Sequence, residues 1–278
     1  MNEMREFELT DTDFNFIKNI VVQHTGIVLT DVKRNMVYGR LSRRLRTLGL
    51  SHFKQYCDII RGDDETELTH FINAITTNLT SFFREKHHFN YLENIHIPEL
   101  LEKNASSKRI RIWSAGCSTG EEPYTISMIL NESIPNIESW DIKILATDLD
   151  YNVLETARSG IYATERIADM PPSQINKWFH HNGKTLPGKV HVSDRLKHLI
   201  TFKQLNLMKE WPFKGPFDAI FCRNVLIYFS KDTQRVLVEH YAEKLSEQGR
   251  LFLGHSESLF KVTDRFKLIG NTIYQKSC

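Results

Sequence analysis

The sequence has no long apolar segment. None of its 278 residues lies in a run approaching the roughly 18 uninterrupted apolar residues of a membrane-spanning helix. The N-terminus, "MNEMREFELTDTDF", is acidic and polar and has no signal-peptide core. We therefore expect a cytoplasmic protein that does not insert directly into a membrane.

Cysteine is also scarce. The chain has four, Cys57, Cys117, Cys222 and Cys278, and none of them form a C-x-x-C pair. This spacing indicates no disulfide framework and makes a structural zinc site unexpected. The doublets His87–His88 and His180–His181 do not change this expectation, because adjacent residues on a strand point to opposite faces and chelate poorly. We predict no metal.

Neither sign of charge dominates the composition. The formal net charge is +2, and 41% hydrophobic and 25% charged residues are ordinary values for a globular protein. The length suffices for one large domain or two modest ones. Because the chain as a whole is not a polyelectrolyte, its bulk charge does not indicate a nucleic-acid partner.

Hydrophobic periodicity divides the chain. We predict an all-helical N-terminal domain over residues 1–88, a linker over 89–108 and a second domain over 109–278. From residue 109 onward, short β-rich runs alternate with helical stretches, which is typical of a parallel, doubly wound α/β sheet. The segment 160–200 is polar, contains prolines and glycines and breaks this alternation. It is predicted to be an inserted subdomain.

A glycine-rich turn lies between the first predicted strand of this domain and the next helix, in "SAGCSTGEEPYT". Gly116 and Gly120 allow a sharp turn and a close approach to a ligand. Glu121 and Glu122 suit the helix N-terminus but would repel a pyrophosphate. The turn therefore favours a ligand that is uncharged or cationic there, and S-adenosylmethionine, which has an ammonium and a sulfonium, fits this requirement.

The second predicted strand supports the same ligand. "ILATDLD" ends in Asp148 and Asp150, and an acid at the tip of strand two commonly holds ribose hydroxyls. Ordinary capping acids and a surface aspartate would give the same pattern, so the turn and Asp148 together favour a methyl-donor site without specifying a family.

Five ordered motifs are more specific. They are "TTNLTSFFRE" (76–85), "SAGCSTGEEPYTISM" (114–128), "ATDLDYNVLETARSGIY" (146–162), "GPFDAIFCRNVLIYF" (215–229) and "GRLFLGHSES" (249–258). Together they resemble the CheR family of chemoreceptor glutamate methyltransferases over nearly the whole chain. The resemblance implies a helical N-terminal domain, a class I (Rossmann-like) methyltransferase sheet and a small antiparallel β-subdomain inserted after "SGIY".

The resemblance also implies a reaction and a partner. The methyl group of S-adenosylmethionine would pass to glutamate side chains on the cytoplasmic domain of chemoreceptors. The products would be glutamyl methyl esters, which provide adaptation in chemotaxis, and S-adenosylhomocysteine. A carboxylate is already ionised at neutral pH, so the lack of an evident nucleophile–base pair or metal cluster is expected. We expect a monomer by default.

Roles for individual residues follow from the matching motifs. Arg84 is expected to orient the substrate carboxylate or close the site, and Tyr228 to lie near the sulfonium. Glu122 would face the methionyl ammonium and Asp148 the ribose. The other residues implied to bind the cofactor are Asn78, Thr80, Gly116, Asn206, Leu207, Cys222, Arg223 and Asn224, with Arg84 among them. A surface ion pair of Arg84 with Glu85 or Asp64, and core packing of Tyr228, are the structural alternatives.

A basic segment without acidic residues runs from Val32 to Cys57. Its helical wheel places a stripe of Val37, Leu41, Leu45 and Leu48 opposite a basic face. Arg40, Arg43, Arg44 and Arg46 are predicted to bind substrate there by steering an acidic receptor bundle. A solvated helix face and a nucleic-acid patch are the alternative interpretations.

The sequence departs from the family in one loop. Some members dock a receptor C-terminal peptide with closely spaced glycines, whereas "HHNGKTLPGKVHV" has only the separated Gly183 and Gly188. This favours direct receptor recognition without a tether. Alternative functions are a methyltransferase acting on another protein or on nucleic acid, a non-catalytic module and a dinucleotide oxidoreductase. "CRNVLIYF" lacks the prolines of an N/D-P-P-Y stretch, and the two glutamates disfavour a dinucleotide.

Overall fold

The computed structural model describes residues 5–62, 64–181 and 187–277. It divides into two compact units. A helical unit comprises Met1–Thr77 with Tyr228–Thr233, and an α/β unit comprises Asn78–Ile227 with Gln234–Cys278. No helix in the described ranges is both long and apolar enough to cross a membrane.

Four α-helices build the helical unit. They are α1 (Asp11–Thr25), α2 (Arg34–Leu48), α3 (Phe53–Arg61) and α4 (Glu65–Ile75). Three members of the predicted stripe, Val37, Leu41 and Leu45, are fully buried among aromatic side chains such as Phe53. Leu48 is 38% exposed, because α2 ends there and Gly49 turns the chain in a left-handed conformation.

The cap of α1 shows how local sequence sets its start. Thr10 is the N-cap, and its hydroxyl accepts the N–H of Asp13 while the Asp13 carboxylate accepts the N–H of Thr10. This reciprocal capping box satisfies donors that the helix itself leaves free. The helix ends at Gly26, where φ is 73°.

The α/β unit is built on a seven-stranded sheet. Its strands are β1 (Arg109–Ala115), β2 (Asp141–Asp148), β6 (Ile200–Gln204), β7 (Phe217–Cys222), β8 (Leu245–Leu253), β9 (Phe266–Gly270) and β10 (Ile273–Lys276), in the order β6-β2-β1-β7-β8-β10-β9. The first five in this order are parallel, and β10 pairs antiparallel with both β8 and β9. The predicted α/β class is confirmed, with a mixed rather than a wholly parallel sheet.

Helices of this unit follow the predicted alternation. They are α5 (Lys86–Tyr91), α6 (Ile97–Lys103), α7 (Glu121–Ser133), α8 (Tyr151–Ser159), α9 (Pro172–Trp178), α10 (Asp194–Lys197) and α11 (Lys231–Lys244), which begins in the helical unit. The inserted subdomain is also confirmed. It holds β3 (Ile161–Ala163), β4 (Phe179–His181) and β5 (Lys189–Val192) in an antiparallel sheet of order β3-β5-β4. Gly183, in the loop discussed above, lies outside the described residues.

The predicted linker over 89–108 is wrong. Helix α5, a π-helical turn at Leu92–His96 and α6 run through most of it. Phe89, Leu92 and Ile97 are buried in the same core cluster as the β1 residues Ile110 and Ile112. These apolar side chains bind the segment to the sheet, so the α/β unit begins at Asn78 and not at the predicted boundary after residue 88.

Candidate active site

The carboxyl ends of three central strands meet at one edge of the sheet. Strand β1 pairs in parallel with β2, with Ala115 opposite Thr147, and with β7 on its other side. The loops that leave these ends therefore gather in one place, which is where open α/β sheets bind ligands. The glycine turn, Asp148 and the segment after Cys222 all lie there.

The glycine turn is held by close packing. Gly116 and Gly120 have φ values of 89° and 98°, which favour glycine. A Cβ at Gly116 would lie 2.5 Å from a methyl carbon of Val225, in the loop after β7. Glycine is therefore required at position 116 because two loops of the protein approach each other closely there, whether or not a ligand is bound.

Asp148 accepts hydrogen bonds from the turn. Its carboxylate accepts the N–H of Ser118 at 2.8 Å and the N–H of Asp150 at 3.0 Å. Burial raises the pKa of Asp148 to about 6, although these N–H groups oppose the rise. No ion pair joins Asp148 to another described residue, so its acceptor capacity is not taken up by a cation.

The two adjacent glutamates have different roles. Glu121 is fully buried, accepts the Thr119 hydroxyl at 2.6 Å and forms an ion pair with Arg166 of the subdomain. Glu122 accepts the Ser114 hydroxyl at 2.7 Å and an Nη1–H of Arg223 at 2.9 Å. Glu121 therefore joins the turn to the subdomain, and Glu122 joins the turn to Arg223 in the segment after β7.

Arg223 is the centre of a charged cluster that it forms with Glu122 and Glu85. Its side chain is 3% exposed and pairs with Glu122 through Nη1, while Nη2 lies 3.4 Å from Oε2 of Glu85 and donates to the Arg84 carbonyl. The guanidinium carbon lies 5.2 Å from the ring centroid of Phe89. Its Nε has no hydrogen-bond partner within the described part of the chain.

The segment from Asn78 to Glu85 contacts the same strand edge. The Asn78 amide donates to the Asp150 carboxylate at 2.8 Å, and the Ser118 hydroxyl donates to the Asn78 carbonyl at 3.0 Å. Arg84 donates to the Leu79 carbonyl at 2.8 Å. No ion pair of Arg84 occurs among the described residues, so the structure does not show the alternative pairing with Glu85 or Asp64.

The backbone on either side of Arg84 is strained. Phe83 and Glu85 have φ values of 54° and 57°, in the left-handed region that costs non-glycine residues free energy. Thr80 is half-buried in the same loop. Strain of this kind persists only where surrounding contacts hold it, as the bond from Arg223 to the Arg84 carbonyl does.

Glu257 organises the segment after β7, and sequence reasoning missed it. Its carboxylate accepts the N–H groups of Asn224, Ile227 and Gly254 at 2.9, 3.2 and 2.5 Å. Burial raises its pKa despite these three donors. The only available signal was its place in the motif "GHSES", which also contains His255, another missed residue.

The remaining predicted cofactor residues lie at strand ends but differ in orientation. Asn206 and Leu207 follow β6, and the Asn206 side chain accepts the Met208 N–H at 2.9 Å. The Cys222 thiol is fully buried and accepts the Tyr241 hydroxyl at 3.2 Å. Burial raises the pKa of this thiol. The Cys222 thiol is therefore not available to a ligand.

Tyr228 belongs to the helical unit. Its carbonyl accepts the N–H of Val28 at 2.8 Å, and Phe229 forms an isolated antiparallel bridge with Ile27. The role predicted for Tyr228 near the sulfonium remains a prediction.

The four α2 arginines, in the same unit, have unequal partners. Arg40 donates to the carbonyls of Ile75 and Thr76 at 2.5 and 2.7 Å. Arg44 pairs with the buried Glu67, and Arg46 pairs with Glu6 on the surface. Arg43 forms no ion pair or side-chain hydrogen bond in the described ranges. The substrate-binding role of these residues stays a prediction, and Arg43 has the guanidinium least occupied by the fold.

Comparison with protein families gives two matches. The model described as "CheR methyltransferase, SAM binding domain" matches residues 78–275, and "CheR methyltransferase, all-alpha domain" matches residues 12–76. The boundary between them coincides with the boundary between the two structural units.

Curated relatives match over almost the whole chain. A probable chemotaxis protein methyltransferase of Rhizobium etli is 42% identical over 92% of this chain and 96% of its own length. The chemotaxis protein methyltransferase of Escherichia coli is 43% identical over 97% of this chain and 92% of its own. Chemotaxis protein methyltransferase 2 of Pseudomonas aeruginosa is 41% identical over 97% and 95%.

Proposed function

Because this chain belongs to the CheR methyltransferase family, we propose that it methylates glutamate side chains on the cytoplasmic domain of chemoreceptors, with S-adenosylmethionine as methyl donor. The observation that carries this proposal is the buried Glu122–Arg223 pair at the edge of the sheet. A carboxylate and a guanidinium side by side complement a group that itself has an ammonium and a carboxylate.

The residues present fit the donor. Glu122 offers a carboxylate to the methionyl ammonium, and the unpartnered Nε of Arg223 offers an N–H to the methionyl carboxylate. Asp148, which has no cationic partner among the described residues, offers an acceptor to the ribose hydroxyls. Asn206 and Leu207 follow the neighbouring strand, as a site for the adenine requires.

Methyl transfer requires the protein mainly to align the glutamate carboxylate with the donor methyl group. When bound, S-adenosylmethionine supplies an electrophilic methyl group, so the glutamate O–C bond forms as the C–S bond breaks and the electron pair passes to sulfur. The attacking carboxylate is already ionised, so no residue of this chain has to remove a proton. Arg84 would orient that carboxylate, and Tyr228 would lie against the positive sulfur.

The partner would be recognised directly. An acidic helical bundle complements a cationic side chain such as Arg43, which the fold leaves without an ion-pair partner in the described ranges. Rim charges of this kind steer association and set its salt dependence. We further propose that the protein acts as a monomer in the cytoplasm and uses no receptor-peptide tether.

A methyl-transfer assay tests the proposal. The protein is mixed with methyl-labelled S-adenosylmethionine and chemoreceptor membranes, and label released as methanol in mild alkali is measured. Glu122→Gln is the negative control, and Glu132→Gln, on the same helix α7, is the matched control expected to retain activity. Base-labile label on the receptor supports glutamyl esterification. If calorimetry shows donor binding but the receptor carries no label, the receptor is not the substrate. Label on nucleic acid would favour the alternative of a nucleic-acid methyltransferase.

A further inference from the structure

A compact group of metal-ligating side chains lies outside the residues assigned to the donor. Glu85, His87 and His88 each offer a ligand atom, and these atoms lie within 4.8 Å of one another. Each also has a buried atom without a hydrogen-bond partner in the described part of the chain: Oε2 of Glu85, Nε2 of His87 and Nδ1 of His88. Three such atoms in one place need an explanation, because buried polar groups are normally paired.

The tautomer of His88 follows from its contacts. The ring is fully buried, and its Nε2 lies 3.0 Å from the Asn271 carbonyl and 3.1 Å from the Thr272 hydroxyl oxygen. A carbonyl oxygen only accepts, and the Thr272 hydroxyl itself has the carbonyls of Leu253 and Asn271 within donating distance. Nε2 must therefore carry the proton, which leaves Nδ1 with a lone pair in the neutral ring.

That lone pair faces an anion. Nδ1 of His88 lies 3.5 Å from Oε2 of Glu85. A carboxylate oxygen and a bare imidazole nitrogen repel each other unless a cation lies between them.

The spacing suits a metal ion. Two ligands about 2.1 Å from a tetrahedral zinc ion are roughly 3.4 Å apart, close to the separation of Nδ1 and Oε2. The hydrogen bonds that these ligands form with neighbouring groups also match those of protein metal sites. Metal-ligating histidines usually donate their other N–H to a carbonyl, as His88 does to Asn271, and ligating carboxylates are themselves hydrogen-bonded. Oε1 of Glu85 lies 2.9 Å from Nδ1 of His255.

The surrounding charges permit a cation. Arg223 lies 3.4 Å from Oε2 of Glu85 and opposes one, but it also pairs with Glu122 at 2.9 Å. Glu85, Glu122 and Arg223 therefore sum to one negative charge.

We propose that Glu85, His87 and His88 bind a divalent transition-metal ion, with Zn²⁺ the best match to two imidazoles and a carboxylate. The sequence-based expectation of no metal assumed that adjacent histidines lie on a strand. His87 and His88 instead lie on helix α5, with ring centroids 4.1 Å apart. His87 as a residue is half-buried.

Metal titration tests the proposal without using enzyme activity. Full-length, tag-free protein is stripped with chelator and titrated with Zn²⁺ against a chromophoric competitor. One equivalent should bind. His87→Gln should weaken binding at least about tenfold by removing a ligand, and His255→Ala about tenfold by freeing Glu85. The double variant His180→Gln, His181→Gln removes the other histidine doublet, which is exposed on β4, and should bind like wild type.

Two results would overturn the proposal. One is the absence of a stoichiometric site, or equal affinity in wild type and His87→Gln with unchanged circular dichroism. The other is a nitrogen NMR spectrum of the metal-free protein in which His88 carries protons on both nitrogens, because a proton would then join Nδ1 to Glu85. Loss of binding only in the His180, His181 variant would also contradict it.

Discussion

Each unit of the molecule contains an ion pair between a largely buried glutamate and an arginine. The two differ in whether a buried polar atom is left without a hydrogen-bond partner among the described residues; we call a pair without such an atom closed and one with such an atom open. In the helical unit, Glu67 accepts Arg44 at both oxygens and the Tyr56 hydroxyl at 2.8 Å. In the α/β unit, Arg223 pairs with Glu122 and with Oε2 of Glu85, but its Nε and that Oε2 have no hydrogen-bond partner among the described residues.

This difference distinguishes structural charges from functional ones. A closed pair leaves nothing for a ligand, and its role is to hold α2 against α4. An open cluster retains donor and acceptor capacity that a ligand can use, at a cost in stability while the ligand is absent. Five predictions test this distinction, in order of decreasing expected effect.

Removing Arg223 should have the largest effect. Arg223→Met leaves two largely buried carboxylates without their cation, which should cost about 3–5 kcal/mol of unfolding free energy and abolish measurable donor binding. Urea unfolding and calorimetry measure the two quantities. Arg158→Met, which breaks a surface pair with Glu155, is the control and should cost under about 1 kcal/mol. If the Arg223→Met protein were fully stable and still bound the donor, the cluster of Arg223, Glu122 and Glu85 would not be part of the donor site.

Removing Arg84 should separate activity from stability. Arg84→Ala should lower kcat about 100-fold, because misalignment of the attacking carboxylate is costly, while the urea midpoint stays near that of wild type. Arg84→Lys should restore little, since an ammonium lacks the bidentate guanidinium geometry. Near-normal turnover of Arg84→Ala would exclude Arg84 from the reaction.

Opening the closed pair should affect stability alone. Arg44→Ala leaves Glu67 buried beside Tyr56 without a cation, at a cost of about 2 kcal/mol. Donor affinity should not change. Circular dichroism during urea unfolding and calorimetry of the folded protein measure this. If Arg44→Ala instead raised KM for the receptor with an unchanged midpoint, Arg44 would belong to the substrate surface.

Donor binding should depend on pH through Asp148. The folded pKa of about 6 lies above the unbound aspartate value of 3.8, so the carboxyl binds a proton as the pH falls through 6. If the ionised form accepts the ribose hydroxyls, donor affinity should fall nearly tenfold per pH unit below about 6 and level off above it. Asp148→Asn should bind more weakly and lose this dependence. A flat wild-type profile between pH 5 and 7 would contradict the assignment.

Removing Arg43 should have the smallest effect. Arg43→Ala should raise KM for receptor about two- to threefold at low salt and less at high salt, because a rim charge acts mainly on association. Donor affinity and the urea midpoint should not change. Arg46→Ala, whose guanidinium already pairs with Glu6, is the comparison and should change KM less. Equal KM values for Arg43→Ala and wild type at low salt would contradict a role for this arginine of α2 in receptor recognition.

Much of the fold was predictable because it depends on local pattern. The α2 stripe and the strand–turn–helix around Gly116 followed from the spacing of apolar residues and glycines. The interruption over residues 160–200 followed from its polar composition with prolines and glycines. The linker prediction failed because Phe89 and Leu92 were not recognised as the apolar face of another helix. Their burial depends on strands that begin 17 or more residues later in the chain.

The sequence by itself determined the family, the order of elements and most of the residue types at the strand edge, since these follow from motifs that are contiguous in the chain. Tertiary structure alone decided the partners of the charges. It assigned Glu121 to Arg166 and Glu122 to Arg223, used Arg44 inside the fold, and brought Glu85, His255 and Glu257 to the site. Charges pair through space at a few ångströms, and sequence spacing does not specify which of many distant carboxylates an arginine meets.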